Sequence, residues 1–567
     1  MTAIDWSFRS NAGPLPAFGV VSNSLEFQRI LQLSRRVLDP SSVPDVTSVF
    51  RRDGGTMDFW PIQSAALYEA ALCNGLFAPL GVGQGKSLIC LALPDALDSK
   101  RAVLLVPATL RRQVTREART LYNRHFVLPM EKLTIVSYEE LSSTNSHDVL
   151  DRLQPDLIIC DECHFLRNFS AARTKRFLRY MKEHPHCRFA ALSGTITTRS
   201  INDYGHLIEL ALRKNSPLPR SYPELLDWSG ALDAKPIRPR NPGVLRQFCR
   251  HKESVRDGFR RRLTETQGVV ATKESALEMS LIVRRLKMQV PIEVQECLNG
   301  VRKTWSIDGN EFDSILTLKG ALRQVACGFF YRWVWPDGEV DHAWLEARND
   351  WNKEVRGKLS LGSRPNMDTP FFLAAAAERF RKWVLDPSKP KPDQPLWESE
   401  TWPTWRKYKD QEDPPREPVW ISDYMVDAAV AWGKKQKTGA VIWYAWRALG
   451  EAIAKKGKFS IYGENSDSSM ATAPVIVCSM YAQKEGKNLQ HRYWKNLLTT
   501  LPGNGAAFEQ IVGRTHRPLQ KADEVTVEYF GHTPEVEDLM DSIIEDEQYV
   551  FETTGQTRKI LYATKIR

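Results

Sequence analysis

The apolar positions of this chain fall into two stretches of one rhythm, separated by a stretch that does not share it. Between 56 and 235, short unbroken apolar runs alternate with longer amphipathic segments. The runs are AVLLV at 102–106, LTIV at 133–136, LIIC at 157–160 and FAAL at 189–192. Unbroken runs of four or five apolar residues suit strands covered on both faces, and the longer segments between them suit crossover helices. The pattern therefore predicts a parallel α/β layer. The rhythm returns at about 421, with GAVIWYAW at 439–446, FSIYG at 459–463, APVIVCSM at 473–480 and VTVEYF at 525–530. The chain closes with an acidic helical pattern, EVEDLMDSIIEDE at 535–547, and a basic end. No repeat of solenoid period is present.

The intervening residues differ. Residues 236–330 are basic and helical in pattern, after the Pro-rich KPIRPRNP at 235–242. Ten of the seventeen tryptophans lie from Trp333 to Trp432, and prolines crowd 386–418, which reads as an irregular surface linker. Tryptophans interleaved with Arg and Lys could stack on unpaired bases. At helical spacing they instead form the core of a small inserted domain, and that reading is favoured. The divisions expected are an N-terminal extension (1–55), a first layer (56–235), a basic helical linker (236–330), a Trp/Pro-rich insertion (331–420), a second layer (421–532), and a C-terminal helix and tail (533–567).

Composition narrows the classes. A chain of 567 residues with 42% apolar and 26% charged residues is globular and long enough for several domains. Collagen-like, low-complexity and wholly disordered readings fall away. No run of about 18 apolar residues exists, so no spanning helix is expected. MTAIDWSFRS lacks a basic-then-apolar leader pattern. Nine scattered cysteines are too sparse for a disulfide framework, and a reduced, intracellular setting is expected. Lys plus Arg (78) exceed Asp plus Glu (68) by ten, which favours a polyanionic partner.

The candidate chemistry begins at Gly83-Gln84-Gly85-Lys86-Ser87, which opens the apolar stretch LICLALPDAL. Glycines let backbone N–H groups close round phosphate oxygens, and a helix N-terminus adds partial positive charge. Lys86 would reach the outer phosphates of ATP and Ser87 a magnesium ion. The position six residues before the lysine, glycine in the full phosphate-loop pattern, is Leu80. Asp161-Glu162-Cys163-His164 follows the run ending at Cys160. Asp161, at a strand end, could hold magnesium, and Glu162 could orient and deprotonate an attacking water. Cys160 and Cys163 are spaced as half a zinc site, but no second pair follows.

The order of these motifs resembles that of superfamily 2 helicase-like ATPases, and most of all the Swi/Snf-type double-stranded DNA translocases, a bacterial or phage-encoded member included. Phe59-Trp60-Pro61-Ile62-Gln63 is similar to the family's upstream glutamine motif, which implies Gln63 against adenine. Val106–Leu110 with Gln113 resembles motif Ia, and Ile135–Glu139 the I-x-S-Y-E element. Residues 161–177 resemble the DEAH box and its continuation, Leu192–Thr195 motif III, and Leu322–Cys327 the L-R-Q-x-C element. Glu485–Gln490 is similar to motif V. Gln510-Ile-Val-Gly-Arg514-Thr-His-Arg517 matches motif VI, Q-x-x-G-R-x-x-R, throughout.

The resemblance covers roughly 56–235 and 421–550. It implies two RecA-like parallel-sheet lobes in tandem, with the Trp/Pro-rich segment inserted between them. It implies coupling through Ser193, Gly194 and Thr195, and nucleotide contact by Gly486. Nucleic-acid contact would come from Ala108, Thr109, Leu110, Ser137, Tyr138, Lys487 and Asn488. Gln510, Arg514 and Arg517 would join Lys86, Asp161 and Glu162 in catalysis. Arg514 and Arg517 are spaced to share one helical face and clamp a γ-phosphate. Clusters Arg111-Arg112, 173–179 and 250–262 would add to the field that attracts a backbone.

Three functions are expected in order. The first is an ATP-driven double-stranded DNA translocase using ATP and Mg2+. The second is a strand-separating helicase of replication, recombination or repair. The third is a binding scaffold switched by ATP without hydrolysis. A bacterial or phage-infected cytoplasm is the favoured setting.

Overall fold

The computed structural model describes residues 19–271, 279–308, 310–312, 315–335, 338–358, 369–388, 390–392, 394–484 and 487–566. Its architecture is α/β, with two large sheets, each wholly parallel. The first contains β1 (Leu76–Ala78), β2 (Ala102–Val106), β3 (Leu133–Ser137), β4 (Leu157–Asp161) and β5 (Arg188–Leu192), in the order β1-β5-β4-β2-β3. The unbroken apolar runs are strands because both faces are covered. Val103, Leu105, Ile158 and Cys160 enter one core. Leu104, Val106, Leu157 and Ile159 enter the core on the opposite face. Helices α1 (Pro61–Cys73), α2 (Lys86–Ala96), α3 (Ala108–Thr120) and α4 (Ala172–Glu183) cover this sheet, and α5 (Val255–Thr264) follows.

The second sheet is seven-stranded. Its members are β6 (Ser280–Leu286), β11 (Ala440–Tyr444), β12 (Ser460–Tyr462), β13 (Val475–Ser479), β14 (Lys495–Leu498), β15 (Glu524–Phe530) and β16 (Thr564–Ile566). Their order is β12-β13-β11-β14-β15-β6-β16. Two antiparallel pairs lie outside both sheets: β7 (Ser306–Ile307) with β8 (Asn310–Glu311), and β9 (Phe329–Trp333) with β10 (Arg416–Trp420).

Two assignments change here. Residues 280–286, read as part of a helical linker, are β6, paired with β15 through seven residues. Residues 564–566, read as tail, are β16 on the far side of β6. In β6, buried Leu281 and Val283 alternate with half-exposed residues, so no continuous apolar run marks the strand.

The Trp-rich stretch leaves and re-enters through the β9–β10 pair, where Trp333 lies opposite Arg416 and Phe329 opposite Trp420. Between them stand α6 (His342–Lys358) and α7 (Pro370–Leu385). None of the ten tryptophans is exposed: Trp344, Trp351, Trp397 and Trp432 are buried and the others half-buried. Trp351 meets Trp402 at 5.3 Å and Trp397 at 6.0 Å between ring centroids. The Arg416 guanidinium sits 4.0 Å over Trp333. The tryptophans are thus a core, as their spacing suggested.

In the second half, α8 (Tyr424–Lys434), α9 (Arg447–Gly457), α10 (Gly505–Val512) and α11 (Pro534–Thr554) complete the layers. The described part of the N-terminal extension is built into the first core. Phe27 is fully buried, its ring 5.4 Å from Phe248 and 6.3 Å from Trp228. Among the described residues no helix is long and apolar enough to cross a membrane.

Candidate active site

Loops at the carboxyl ends of the first sheet's strands converge on one edge, where parallel α/β layers build their sites. After β1 the chain turns through 79–85 and starts α2 at Lys86. Gly83 and Gly85 carry φ of +94° and +69°, which side-chain-bearing residues rarely adopt. A Cβ on Gly85 would stand 2.1 Å from Gln63 Nε2. Gln63 is buried and locked at both ends of its amide. Its oxygen accepts from the Trp60 N–H at 2.8 Å, and its nitrogen donates to the Gly85 carbonyl at 3.1 Å. Lys86 Nζ donates to the carbonyls of Leu80 (3.2 Å) and Gly81 (3.0 Å), inside the loop that it closes. Gln84 is buried in that loop, and Ser87 is half-buried on the first turn of α2.

Asp161 ends β4 and is 4% exposed, and its Oδ1 has no hydrogen-bond partner. Burial, and then the adjacent Glu162 charge, push its carboxyl up to about 7. Glu162 sits in the left-handed region at φ +59°, a strained conformation for a glutamate and one that recurs at functional sites. Burial raises Glu162, but hydrogen bonding to His164 and the Lys86 charge outweigh it, and the group falls to about 2. Two adjacent carboxyls are thus shifted in opposite directions, the buried Asp161 upward and the half-buried Glu162 downward.

The loop after β5 supplies the partners of Glu162. Ser193 Oγ donates to Glu162 Oε2 at 2.9 Å and accepts from the Thr195 N–H at 3.0 Å. His164 Nδ1 lies 3.0 Å from Ser193 Oγ, 3.2 Å from Thr195 Oγ1 and 3.3 Å from Glu162 Oε2. A Cβ on Gly194 would stand 3.1 Å from Val82 Cγ2 and 3.3 Å from Lys86 Nζ, so this turn packs closely on the loop and its lysine.

The second half of the chain closes on the same loop. A Cβ on Gly513 would meet Val82 Cγ1 at 2.8 Å, and one on Gly83 would meet Pro518 Cδ at 2.9 Å. Gln510 is buried, with Nε2 3.5 Å from Thr195 Oγ1. Arg514 donates to the Gln510 carbonyl (3.0 Å) and the Lys487 carbonyl (3.3 Å), and Arg517 to Asn488 Oδ1 (2.8 Å). Arg517 also lies within electrostatic reach of Glu117 and Tyr122, which sit on and just after α3.

Several expectations need correction. Arg514 and Arg517 do not share a helical face. Helix α10 ends at Val512, and the chain continues in tight turns, with Arg514 N–H bonded to Ile511 O and Thr515 N–H to Val512 O, before Pro518. They converge instead by gripping the consecutive residues Lys487 and Asn488. Tyr138 cannot touch a polymer. It is fully buried, stacked on Phe165 at 4.9 Å, and its hydroxyl donates to the Asp161 carbonyl at 2.9 Å. Ser137 is buried too, its oxygen capping the turn at Glu140 N–H. Lys487 points to Asp467 at 3.2 Å. Gly486 lies outside the described residues.

The basic clusters also divide. On α3 the Ala108–Leu110 turn and Arg111, Arg112, Arg116 and Arg119 face solvent, except that Leu110 is half-buried and Arg111 pairs with Glu140. Lys175, Arg176 and Arg179 are buried, and Arg176 donates to the carbonyls of Leu141 and Ser143. In the 250–262 cluster, Arg256 pairs with Glu552 and Arg260 covers Phe551, so these cations hold α11.

No protein-family model and no curated protein matches this chain.

The donor set bears on which ion could fit. Among the described residues no three His, Cys, Asp or Glu side chains are grouped to hold a metal. A lone buried carboxylate oxygen, that of Asp161, suits magnesium, which keeps waters and shares its shell with phosphates. Cys160 and Cys163 are both buried, and desolvation pushes their thiols up, away from the thiolate that zinc needs. Sequence reading missed three participants: His164 as a partner of Ser193, and Glu117 and Tyr122 facing Arg517. The partner of His164, a residue of the 161–164 motif, and the positions of Glu117 and Tyr122 depend on the packing of separate segments.

Proposed function

We propose that this chain is an ATP-dependent nucleic-acid motor, a double-stranded DNA translocase built on two RecA-like lobes in tandem with the Trp/Pro-rich segment inserted between them. One observation carries the reading. Around the loop at 81–87, Gly194 and Gly513 pack against Val82, and Arg517 and Pro518 against Gly83, while Ser193 holds Glu162 and Gln510 reaches Thr195. Gln510 and the turn at 513–518 come from the second half of the chain and the other elements from the first, so hydrolysis would require the two halves to be closed on each other.

In this reading, backbone N–H groups of 83–87 and the Lys86 ammonium hold the outer phosphates. Ser87 and Asp161 would hold magnesium, which when bound offsets phosphate charge. Glu162, ionised and held by the Ser193 hydroxyl, orients the attacking water and takes its proton. Arg514 and Arg517 stabilise charge on the leaving phosphate, an effect that can reach about 10³–10⁵ in rate. Gln63, bonded to the Trp60 N–H and the Gly85 carbonyl, would have to turn its amide outward to read adenine, and the exposed Trp60 offers a ring face there. Opening and closing of the cleft would move the exposed basic face of α3 along a phosphate backbone.

None of the ten tryptophans is exposed, which reduces the stacking surface open to a strand-separating wedge and favours translocation over unwinding. The test is steady-state ATP hydrolysis without nucleic acid and with single-stranded DNA, duplex DNA or RNA. Duplex DNA is expected to stimulate turnover most, and Lys86→Ala and Arg517→Ala to lower it by roughly 10³-fold. Stimulation by single strands alone would move the assignment to a helicase. No hydrolysis under any condition would overturn the motor reading.

A further inference from the structure

The last twelve described residues carry a contact that the hydrolytic scheme does not use. Helix α11 lies against both halves of the molecule. On the side of the first half, Arg199 pairs with Asp546 at 2.5 Å and donates to Ser542 at 2.8 Å. Tyr549 donates to Asp233 at 3.0 Å, and Arg256 pairs with Glu552 at 2.9 Å. On the other side, the Gly505 N–H at the start of α10 donates to Asp546 at 3.2 Å, and the chain then runs into β16 of the second sheet.

Between α11 and β16, residues 556–559 touch both walls of the candidate site within four positions. Gln556 Nε2 donates to the Ser193 carbonyl at 3.1 Å. Arg558 Nη1 donates to the Gly194 carbonyl at 2.7 Å. The Lys559 N–H donates to Glu509 Oε2 at 2.9 Å, and Glu509 precedes Gln510 on α10. The Arg558 and Glu547 side chains are fully buried and paired through Nε and Nη2, the latter at 3.0 Å. A Cβ on Gly505 would stand 2.3 Å from Glu547 Oε1, so only glycine admits this carboxylate. A buried ion pair is a poor source of stability, since apolar residues of equal volume serve as well. Its best-attested use is to fix one arrangement, and here the arrangement fixed is that of residues 193–194.

We propose that Arg558 is a positioning residue for hydrolysis. It holds the Gly194 carbonyl from behind, and so sets the Ser193 hydroxyl that orients Glu162. The turn at 193–195 is then clamped between the carboxylate at its front and the 556–559 segment at its back. That segment also grips α10, so a shift of α10 is transmitted to Ser193 and Glu162 through one short stretch of chain. This inference rests on the hydrolytic reading above.

The test uses the full chain and two variants. Glu547→Gln with Arg558→Gln removes the pair together and leaves no lone buried charge, and Arg558→Lys keeps the cation. For the double variant, kcat with duplex DNA is expected to fall roughly 10- to 100-fold, as for a mispositioned catalytic group, while KM for ATP moves less than about threefold. Arg558→Lys should recover part of kcat. Hydrogen exchange read by mass spectrometry should quicken at residues 193–196 in the double variant and stay at the wild-type rate in Lys86→Ala.

Wild-type kcat in the double variant, or a loss of kcat with unchanged exchange at 193–196, would overturn the proposal. If the wild type hydrolyses no ATP, the motor reading fails by itself. The exchange measurement still decides the clamp: quickened exchange supports it and unchanged exchange overturns it. If the double variant does not fold, Gln556→Ala reads the same turn. A fall in kcat of about fivefold with quickened exchange is then expected, and no change in either overturns the proposal.

Discussion

At the scale of single residues, the adjacent carboxyls show how position along the backbone separates two similar groups. Asp161 belongs to β4 and faces the buried edge with an unpartnered oxygen, whereas Glu162 has left the strand and collects Ser193 and His164. The difference predicts a pH signature. Asp161, raised to about 7 chiefly by burial, contributes stability that is present below its unfolded value near 3.8 and is lost as pH rises through about 7. Asp161→Asn lacks that loss. In magnesium-free buffer its advantage over wild type should grow by on the order of 3 kcal/mol between pH 5 and pH 8. Urea unfolding at the two pH values measures it. A gap that stays constant would mean that Asp161 ionises in the folded chain as an ordinary carboxylate does.

At the scale of elements, what a segment does depends on what covers it. The tryptophans between β9 and β10 carry the same mixture of aromatic and basic residues that would serve a base-stacking platform, but they face one another. Trp351 is 4% exposed and contacts Trp397, Trp402 and Phe371. Trp351→Ala should cost that segment about 3–5 kcal/mol, the usual range for emptying such a site. Limited proteolysis should then cut selectively between residues 334 and 415, leaving the two sheets intact. Uniform cutting throughout the chain would show that this segment and the sheets unfold as one unit. The same dependence on cover explains the basic clusters. Arg176 is consumed by backbone carbonyls and Arg256 by Glu552, and α3 keeps its arginines in solvent.

At the scale of the whole molecule, a net charge of +10 becomes informative only once the exposed cations are known. Arg112 and Arg116 are exposed on α3, beside the Ala108–Leu110 turn. If α3 tracks a phosphate backbone, Arg112→Glu with Arg116→Glu should reduce the slope of log affinity against log salt by about 2, close to one unit per lost phosphate contact. The measurement is duplex-DNA binding by anisotropy across a salt series. An unchanged slope would place the polymer elsewhere. Equal charge reversal at Lys175 and Arg179, which are buried, would damage folding first and is no substitute.

The chain's own pattern was enough for much of this. Unbroken apolar runs marked β2, β4, β5, β11 and β13, because a strand covered on both faces has no polar position to break the run, and shorter or alternating apolar runs marked β3 and β15. Glycines at 83 and 85 marked the turn before α2, because only they take its backbone angles without strain. The resemblance of the motifs also named Asp161, Glu162, Ser193, Gln510, Arg514 and Arg517 as a set; Ser193 bonds Glu162, and Gln510 bonds Arg514 through its carbonyl and reaches Thr195. What the tertiary structure alone decided is which partners each of these finds. β6 joined the second sheet by pairing with β15, where Ser280 lies opposite Glu524, and β16 joined it by pairing with β6. Tyr138 went inward because Phe165 and the Asp161 carbonyl were there to receive it. Arg558 reached Gly194 across 364 positions of sequence. Local pattern records the periodicity of a segment's own surface and the angles of its own backbone. It holds no record of which distant segment will cover that surface, and the partner of a buried polar group is set by that covering segment.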